Sequence, residues 1–518
     1  MKKLTLLLCF ISFFVNGQDI TVASGKSFTI EKTGFVAMSG NFSNAGTFTL
    51  NSDSVAFASI IIGGSVTGNI AYNRYVNSVG TNEWDLIGAP VSGQSIHSFA
   101  AANASTLATN GTTFAIGPYD NETNTWTNYT TSTIGAAGNF DIGKGQQMAT
   151  ISGGTGILKF TGTPASSLQT QAIINNNAAN SGAGTRWNLI ANPFPSYLQG
   201  NTNAHSTNNF LTVNKDKLDD SYEAIYGYDA DGTGYTVYNN SSAALLLAPG
   251  QGFMVASDNT SADTVSFTTD MRTVVGGDDL ILGRNSEDSS ELVLKLYEGD
   301  TEIDYTKFYF ENGLNLGLDP GYDAGHFNQG ASLMSRLIEN DEGVGFAINA
   351  MGLESINNVV IPLEINREAG VGFRISIDTF GINEDINVYL EDNVHGTITL
   401  LNDQDFELTA ENELNGVGRF FIHLTENVLS TDDKIETNLL NVFKADLNNF
   451  ITVEGLANQS NGTKLRLYNI LGKEVIFTTL NNNNNKQIIS TQGLTPGIYI
   501  VKLESGNILI SKKLLIKQ

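Results

Sequence analysis

Short apolar segments separated by glycine- and asparagine-rich turns follow one another along almost the whole chain. Residues 27–30 and 46–50 alternate apolar and polar side chains, as strands with one buried face do. Longer segments of the same kind occupy residues 359–365 and 372–377. The 53 glycines among 518 residues supply the positive-φ positions that tight turns need. We therefore predict an all-β, multidomain protein.

The N-terminus has the three features of a secretory signal peptide. Lys2 and Lys3 precede an apolar run over residues 4–15 that is too short to span a membrane. We place cleavage after Gly17, which would also remove Cys9, the only cysteine. The mature chain would then contain no disulfide and no thiolate metal site. No later segment has the length and apolarity of a transmembrane helix, so we expect no membrane span in the mature chain.

The pattern divides the chain into successive units. We predict a signal peptide at 1–17, a β-solenoid-like or meander segment at 18–70, two copies of a β-repeat at 71–168 and 169–276, a connector at 277–290, a β-sandwich at 291–430, a linker at 431–440 and a C-terminal Ig-like sandwich at 441–518. Within the larger sandwich, residues 331–338 are predicted to form at most two helical turns. The remaining apolar segments are predicted to be strands.

The two repeat copies are inferred from matches that keep the same order along the chain. The matched positions are 84–90 with 187–193, Tyr119 with Tyr228, Trp126 with Tyr235, Gly145-Gln146 with Gly250-Gln251, and Phe160 with Phe267. In each copy, a Tyr-Asp pair opens a polar turn that is followed by an aromatic strand, which is typical of a β-hairpin. The sequence leaves open whether the two copies share one core.

The last 78 residues contain three motifs that resemble the type A C-terminal sorting domain of the type IX secretion system of Gram-negative bacteria. The positions that carry the resemblance are Leu467, Tyr468, Gly472, Lys473, Pro496, Gly497, Tyr499, Lys512, Lys513 and Lys517. The resemblance implies that the type IX machinery is a partner and that the protein is secreted or attached to the cell surface. The alternative is an ordinary Ig-like domain.

Two weak signals suggest ligands. Asp229 and Asp231 alternate as the acidic residues of calcium loops do, and Asp120 and Glu122 keep that spacing in the first copy, although a polar hairpin turn explains both pairs as well. Calcium is thus the one cofactor that the sequence suggests. Trp126 lies among Asn and Thr residues and could stack on a sugar ring, or it could simply be an aromatic residue of a sheet face.

The sequence contains no G-x-S-x-G nucleophile motif and no Walker A phosphate-binding motif. No histidine belongs to a zinc-protease motif, and each of the five is predicted to be a surface or loop residue. A net charge of -25 disfavours nucleic acid as a partner. We expect a non-enzymatic cell-surface protein, adhesin-like or binding a glycan or matrix. The alternatives are a secreted polysaccharide-degrading hydrolase and a structural envelope component without a ligand.

Overall fold

The fold is described by a computed structural model that covers residues 18–80, 84–177, 184–229, 234–277, 290–327, 330–426, 440–444, 450–459, 462–469, 472–506 and 508–516. Strands dominate these ranges, which confirms the all-β prediction. They contain two short α-helices, α1 (Ile96–Ala102) and α2 (Phe210–Asn214). Short 3-10 helices lie at Ile134–Ala136, Lys215–Lys217, Asp220–Tyr222, Thr269–Met271, Leu353–Asn357 and Leu456–Asn458. Neither α-helix approaches the length and apolarity that a bilayer crossing requires.

The N-terminal segment coils into a short β-solenoid. Its strands are β1 (Ile20–Val22), β2 (Ser27–Ile30), β3 (Phe35–Met38), β4 (Phe42–Asn44), β5 (Thr47–Asn51), β6 (Ser59–Ile62), β7 (Val66–Thr67) and β8 (Ile70–Tyr75). They pair in parallel as β1-β4-β7, β2-β5-β8 and β3-β6. Parallel pairing between successive coils distinguishes a solenoid from a meander, whose neighbouring strands are antiparallel.

The region predicted as the first repeat copy continues from the solenoid and shares its core. Its strands are β9 (Asp85–Ile87), β10 (Thr109–Asn110), β11 (Thr113–Phe114), β12 (Ile116–Gly117), β13 (Tyr119–Asp120), β14 (Thr125–Trp126), β15 (Gln146–Met148) and β16 (Ile157–Gly162). Strand β16 pairs antiparallel with β8, and one apolar cluster runs from Val22 to Phe160.

The region predicted as the second copy has a core of its own. Its strands are β17 (Gln169–Ile173), β18 (Trp187–Ala191), β19 (Tyr197–Gln199), β20 (Ile225–Asp229), β21 (Gly234–Tyr238), β22 (Leu246–Leu247), β23 (Gly252–Ala256), β24 (Asp263–Phe267) and β25 (Arg272–Thr273). The apolar cluster of this region runs from Ile173 to Met271 and includes Phe210 of α2. The two regions therefore bury separate main cores.

Backbone hydrogen bonds nevertheless join the two regions. Gly88 N–H donates to the Gly250 carbonyl, and Ala191 N–H donates to the Gly143 carbonyl, each at 2.8 Å. The strands also pair in the same order, because β9 pairs with β15 and β15 with β12, as β18 pairs with β23 and β23 with β20. The duplication itself stays a prediction from the sequence.

The third region forms one large sheet. Its strands are β26 (Ser290–Glu298), β27 (Thr301–Glu311), β28 (Ala324–Gly325), β29 (Ser332–Ser335), β30 (Phe346–Gly352), β31 (Asn358–Asn366), β32 (Gly372–Phe380), β33 (Asn387–Asp392), β34 (Thr397–Leu400), β35 (Phe406–Thr409) and β36 (Phe420–Thr425). The order is β34-β33-β36-β31-β29-β30-β27-β26-β32-β35, and β28 pairs with β30. We call this region the sheet domain.

The sheet domain bends until its two halves share one core. Phe406 of β35 contacts Phe420 of β36, with ring centroids 6.0 Å apart, although these strands are far apart in the sheet order. The predicted helical turns at residues 331–338 are wrong, because Ser332–Ser335 is a strand. All four of its residues are buried, and it pairs with β31. The four-residue spacing of Leu333 and Leu337 suits a helix, but hydrogen-bonded pairing with a neighbouring strand decides the conformation of this buried segment.

The C-terminal region is a small two-layer sandwich. Its strands are β37 (Asn441–Phe443), β38 (Phe450–Glu454), β39 (Thr463–Asn469), β40 (Glu474–Leu480), β41 (Gln487–Ser490), β42 (Gly497–Ser505) and β43 (Ile508–Ile516). One sheet has the order β37-β38-β41 and the other β40-β39-β42-β43. Both contribute to one apolar cluster that includes Val453 and Leu465.

Candidate functional site

The first hairpin presents an aromatic pair at the surface. Strands β13 and β14 pair so that Tyr119 lies opposite Trp126, and the two ring centroids are 5.0 Å apart. Cross-strand aromatic pairs of this kind stabilise a two-stranded ribbon. The Trp126 side chain is still 37% exposed, whereas Tyr119 is half-buried. An indole of this size that is left partly in water is available for contact with a ligand.

Hydrogen bonds hold Tyr119 in place beneath Trp126. Its hydroxyl donates to Asn124 Oδ1 at 2.8 Å and lies 3.1 Å from Thr185 Oγ1. Asn124 itself has φ of 53°, in the left-handed region that Asn tolerates better than most residues. Burial is the main cause that raises the pKa of Tyr119, so this phenol stays neutral at physiological pH. The support beneath Trp126 is therefore fixed before any ligand arrives.

The second hairpin has the same cross-strand register but a different environment. Tyr228 lies opposite Tyr235 across β20 and β21, with ring centroids 5.3 Å apart. Phe327 of the sheet domain covers Tyr235 and also contacts Trp187. Its ring centroid is 4.0 Å from that of Tyr235 and 4.3 Å from that of Trp187. Burial raises the pKa of Tyr235 well above the ordinary value. This hairpin is packed into the junction between the repeat region and the sheet domain.

We call the aromatic side chains of the two hairpins the aromatic band: Tyr119, Trp126, Tyr228 and Tyr235. Three exposed threonines, Thr123, Thr125 and Thr127, lie close to Trp126 in the sequence. A flat ring beside several hydroxyl groups can stack on the apolar face of a sugar and exchange hydrogen bonds with its hydroxyls. The sequence prediction placed Trp126 on a hairpin strand, and only the structure shows which hairpin stays open to solvent.

The structure describes the candidate calcium ligands of the first hairpin, Asp120 and Glu122, more fully than those of the second. The carboxylate of Asp120 accepts hydrogen bonds from Glu122 N–H and from Thr123 Oγ1, both at 2.9 Å, so its oxygens stabilise their own turn. Glu122 is exposed, Asp231 lies outside the described residues, and Asp229 is described only as the last residue of β20. The described parts of the chain contain no group of three or more His, Cys, Asp or Glu side chains that could hold a metal. The contacts of Asp120 favour the polar hairpin turn over a calcium loop.

Two buried carboxyl groups have unusual titration. Burial raises the pKa of Glu223 and that of Asp323 to about 7. Both oxygens of Asp323 accept backbone hydrogen bonds, from Ala350 at 2.7 Å and from Asp319 at 2.6 Å. Asp323 is therefore a structural group. Glu223 is also buried, and a side chain at Gly321 would come within 2.8 Å of its Oε1.

The prediction that every histidine lies at the surface or in a loop is wrong for His423. This residue lies on β36 with its side chain 3% exposed, and its Nε2 is 2.8 Å from Glu391 Oε2. His326 lies outside the strands, but it is also nearly buried, 2.9 Å from Asp304. Each histidine pairs with one carboxylate, an arrangement that fits buried polar pairing rather than a metal centre.

The sorting-motif residues that the structure describes lie in or next to the two hairpins of the C-terminal sandwich, β39–β40 and β42–β43. Leu467 and Tyr499 belong to its apolar core, and Tyr468 lies beneath Lys502. Gly472, with φ of 76°, and Lys473 form the turn after β39, where Lys473 N–H donates to Asn469 Oδ1 at 3.0 Å. The remaining positions are Pro496 and Gly497 at the start of β42, Lys512 and Lys513 on β43, and Lys517, which lies outside the described residues.

Two family models match the chain. The model described as "Secretion system C-terminal sorting domain" matches residues 447–517, and the model described as "Domain of unknown function (DUF8693)" matches residues 10–423. A comparison with curated proteins found no match. The first match confirms a type IX secretion cargo that is exported to the cell surface or secreted. Because the second match covers well over half of the chain, the protein belongs to the DUF8693 family and carries a type IX sorting domain.

Proposed function

We propose that the exported protein is an adhesin-like, non-enzymatic protein that binds glycans through the aromatic band. The observation that carries this proposal is the exposure of Trp126 above a ring that is already fixed. Tyr119 is held by Asn124 and Thr185, so little conformational freedom is lost when a sugar stacks on the band. Trp and Tyr are also the side chains that contribute most to small binding surfaces.

The charge of the protein narrows the class of glycan. A net charge of -25 repels acidic polysaccharides as it repels nucleic acids. Residues 123–127 carry no charge, and three of them are exposed threonines. Hydroxyl groups suit the hydroxyls of a neutral sugar, since each can donate and accept. The expected ligand is therefore a neutral polysaccharide of an outer surface or matrix.

The test is an array of neutral and acidic polysaccharides probed with the mature chain, residues 18–518. We expect binding to neutral members, and we expect Trp126→Ala to weaken it by about tenfold or more. Phe380→Ala is the matched control, because Phe380 is an aromatic residue of the sheet domain that is 51% exposed. Binding that survives Trp126→Ala, or that falls equally with Phe380→Ala, would contradict the proposal.

The alternative hydrolase has one observation in its favour, which is the pKa of about 7 at Glu223. Such a value suits a general acid, but a glycosidase also needs a second carboxylate and a path for the substrate. Release of reducing ends from the bound polysaccharides distinguishes the two functions. A hydrolase would release them, and Glu223→Gln would abolish the release. A structural envelope component would show neither release nor binding.

A further inference from the structure

A fully buried arginine joins the sheet domain to the sorting domain. Arg336 follows β29, and its side chain is 2% exposed. Its Nε lies 3.3 Å from Asp341 Oδ1 and its Nη1 lies 2.5 Å from Glu364 Oε2, both within the sheet domain. Its Nη2 lies 3.4 Å from Glu454 Oε2, which belongs to β38 of the sorting domain. One guanidinium thus binds carboxylates of both domains.

The sorting-domain partner is buried as completely as the arginine. The Glu454 side chain has no exposed surface, and its other oxygen is 2.9 Å from Lys486 Nζ. A charge buried in this way is stable only beside its partners, because losing one of them leaves an uncompensated charge away from water, which costs free energy. The pairing of Arg336 with Glu454 therefore requires the two domains to stay in contact. Lys486 and Lys512 add positive charge beside these carboxylates.

An apolar contact supports the charged one. The ring of Phe443, on β37, lies beneath the guanidinium of Arg336 at 5.1 Å. The same ring fills the space next to Gly343, where a Cβ atom would come within 1.8 Å of it. Gly343 also has φ of 85°, a conformation that few other residues adopt. The sheet domain therefore has a recess that only glycine permits, and the sorting domain fills it.

Further hydrogen bonds fix the relative orientation of the two domains. Asn485 Nδ2 donates to the Val417 carbonyl at 2.7 Å. Asn441 Nδ2 donates to the Asp341 carboxylate, and Lys512 Nζ donates to the Asp341 backbone carbonyl. Lys512 is one of the predicted sorting-motif residues. Its contact shows that this lysine also contributes to the junction with the cargo.

We propose that the surface around Arg336, Gly343 and Val417 is a binding site for the chain's own sorting domain, and that it would retain this domain if the chain were cut within the predicted linker, residues 431–440. Cleavage of the linker alone would then leave a non-covalent complex. Release of the mature cargo would need a second event that separates Arg336 from Glu454. The proposal is independent of the glycan-binding function, because none of the contacts in this junction involves the aromatic band.

The test places a site for a sequence-specific protease within residues 431–440 of the otherwise intact mature chain. After cutting, size-exclusion chromatography over a dilution series measures how much sorting domain elutes with the cargo. We expect co-elution for the cut wild-type chain. Glu454→Gln keeps the shape and removes the charge, and we expect it to weaken retention by about 30-fold or more. Arg336→Gln, on the cargo side, should act in the same direction.

Glu474→Gln is the matched control. Glu474 is also a sorting-domain glutamate paired with an arginine, Arg466 at 3.1 Å, but both side chains of this pair are 38% exposed. We expect this variant to be retained like the wild type, since exposed pairs contribute little. Circular dichroism of each cut sample verifies that the sorting domain is folded. Separate elution of the folded wild-type fragment, or equal retention of the Glu454→Gln and Glu474→Gln fragments, would overturn the proposal.

Discussion

The two aromatic hairpins have the same register and opposite environments. Tyr119 faces Trp126 as Tyr228 faces Tyr235, and an Asp follows the first Tyr of both pairs. In the second hairpin, Phe327 covers Tyr235, whereas Trp126 of the first hairpin is 37% exposed. The same local pattern thus gives a buried junction in one place and an open surface in the other. The neighbouring domain, rather than the hairpin sequence, decides which of the two forms.

The largest expected contrast is in stability. Tyr235→Ala removes a ring packed at 4.0 Å on Phe327, and we expect it to lower the free energy of unfolding by about 3 kcal/mol. Trp126→Ala removes a more exposed ring and should cost about 1 kcal/mol or less. Denaturation with urea measures both. Equal losses of unfolding free energy in the two variants would contradict the difference in burial between Tyr235 and Trp126.

The next expected effect is a pH dependence of stability. It arises before the second hairpin and has no counterpart before the first. Glu223 precedes the second hairpin, and the aligned residue of the first copy is Phe114. Burial raises the pKa of Glu223 from 4.5 to about 7, so the folded protein favours the neutral acid. The contribution of protonated Glu223 to the free energy of unfolding is therefore complete below pH 4.5, the pKa in the unfolded chain. It is lost as the pH rises to about 7, the pKa in the folded protein.

Glu223→Gln stays neutral at every pH and should therefore be more stable than the wild type at alkaline pH, by about 2 kcal/mol. The difference should fade as the pH falls towards 4.5, the ordinary value for this carboxyl. Thermal unfolding at a series of pH values measures it. A constant difference at all pH values would mean that the Glu223 titration is not coupled to folding.

The smallest effect is expected at the turn of the first hairpin. Asp120 bonds to Glu122 and Thr123 within its own turn, and an amide oxygen can keep one of these contacts. Asp120→Asn should change the free energy of unfolding by about 0.5 kcal/mol or less. Calcium should shift the melting temperature of neither protein. A calcium-dependent rise in the wild type that Asp120→Asn abolishes would establish a metal site here.

Local pattern was enough to predict much of this fold. The alternation in residues 27–30 and 46–50 indicated half-buried strands, and recurrent turns indicated a solenoid as one of two arrangements. The polar turn between Tyr119 and Trp126 likewise indicated the hairpin. Each of these features depends on neighbours within a few residues, which is the range over which side-chain period and turn chemistry act.

Features set by distant residues were not predictable from that pattern. Residues 331–338 have helix-like spacing, yet Ser332–Ser335 is a strand because β31 pairs with it. His423 is buried because Glu391 lies beside it on the neighbouring strand. Arg336 binds Glu454, which is 118 positions away in the sequence, and no local pattern around either residue predicts this contact. Such contacts depend on the order of strands and on domain packing, which local propensity does not determine.

Whole-cell adhesion tests the central claim most directly, since it requires both export and the aromatic band. Cells carrying the wild-type chain or Trp126→Ala would be matched for surface display with an antibody, and their attachment to an immobilised neutral polysaccharide would be counted. The account predicts equal display and a loss of attachment for Trp126→Ala. Equal display with equal attachment would contradict it and would leave the aromatic band without a role in binding.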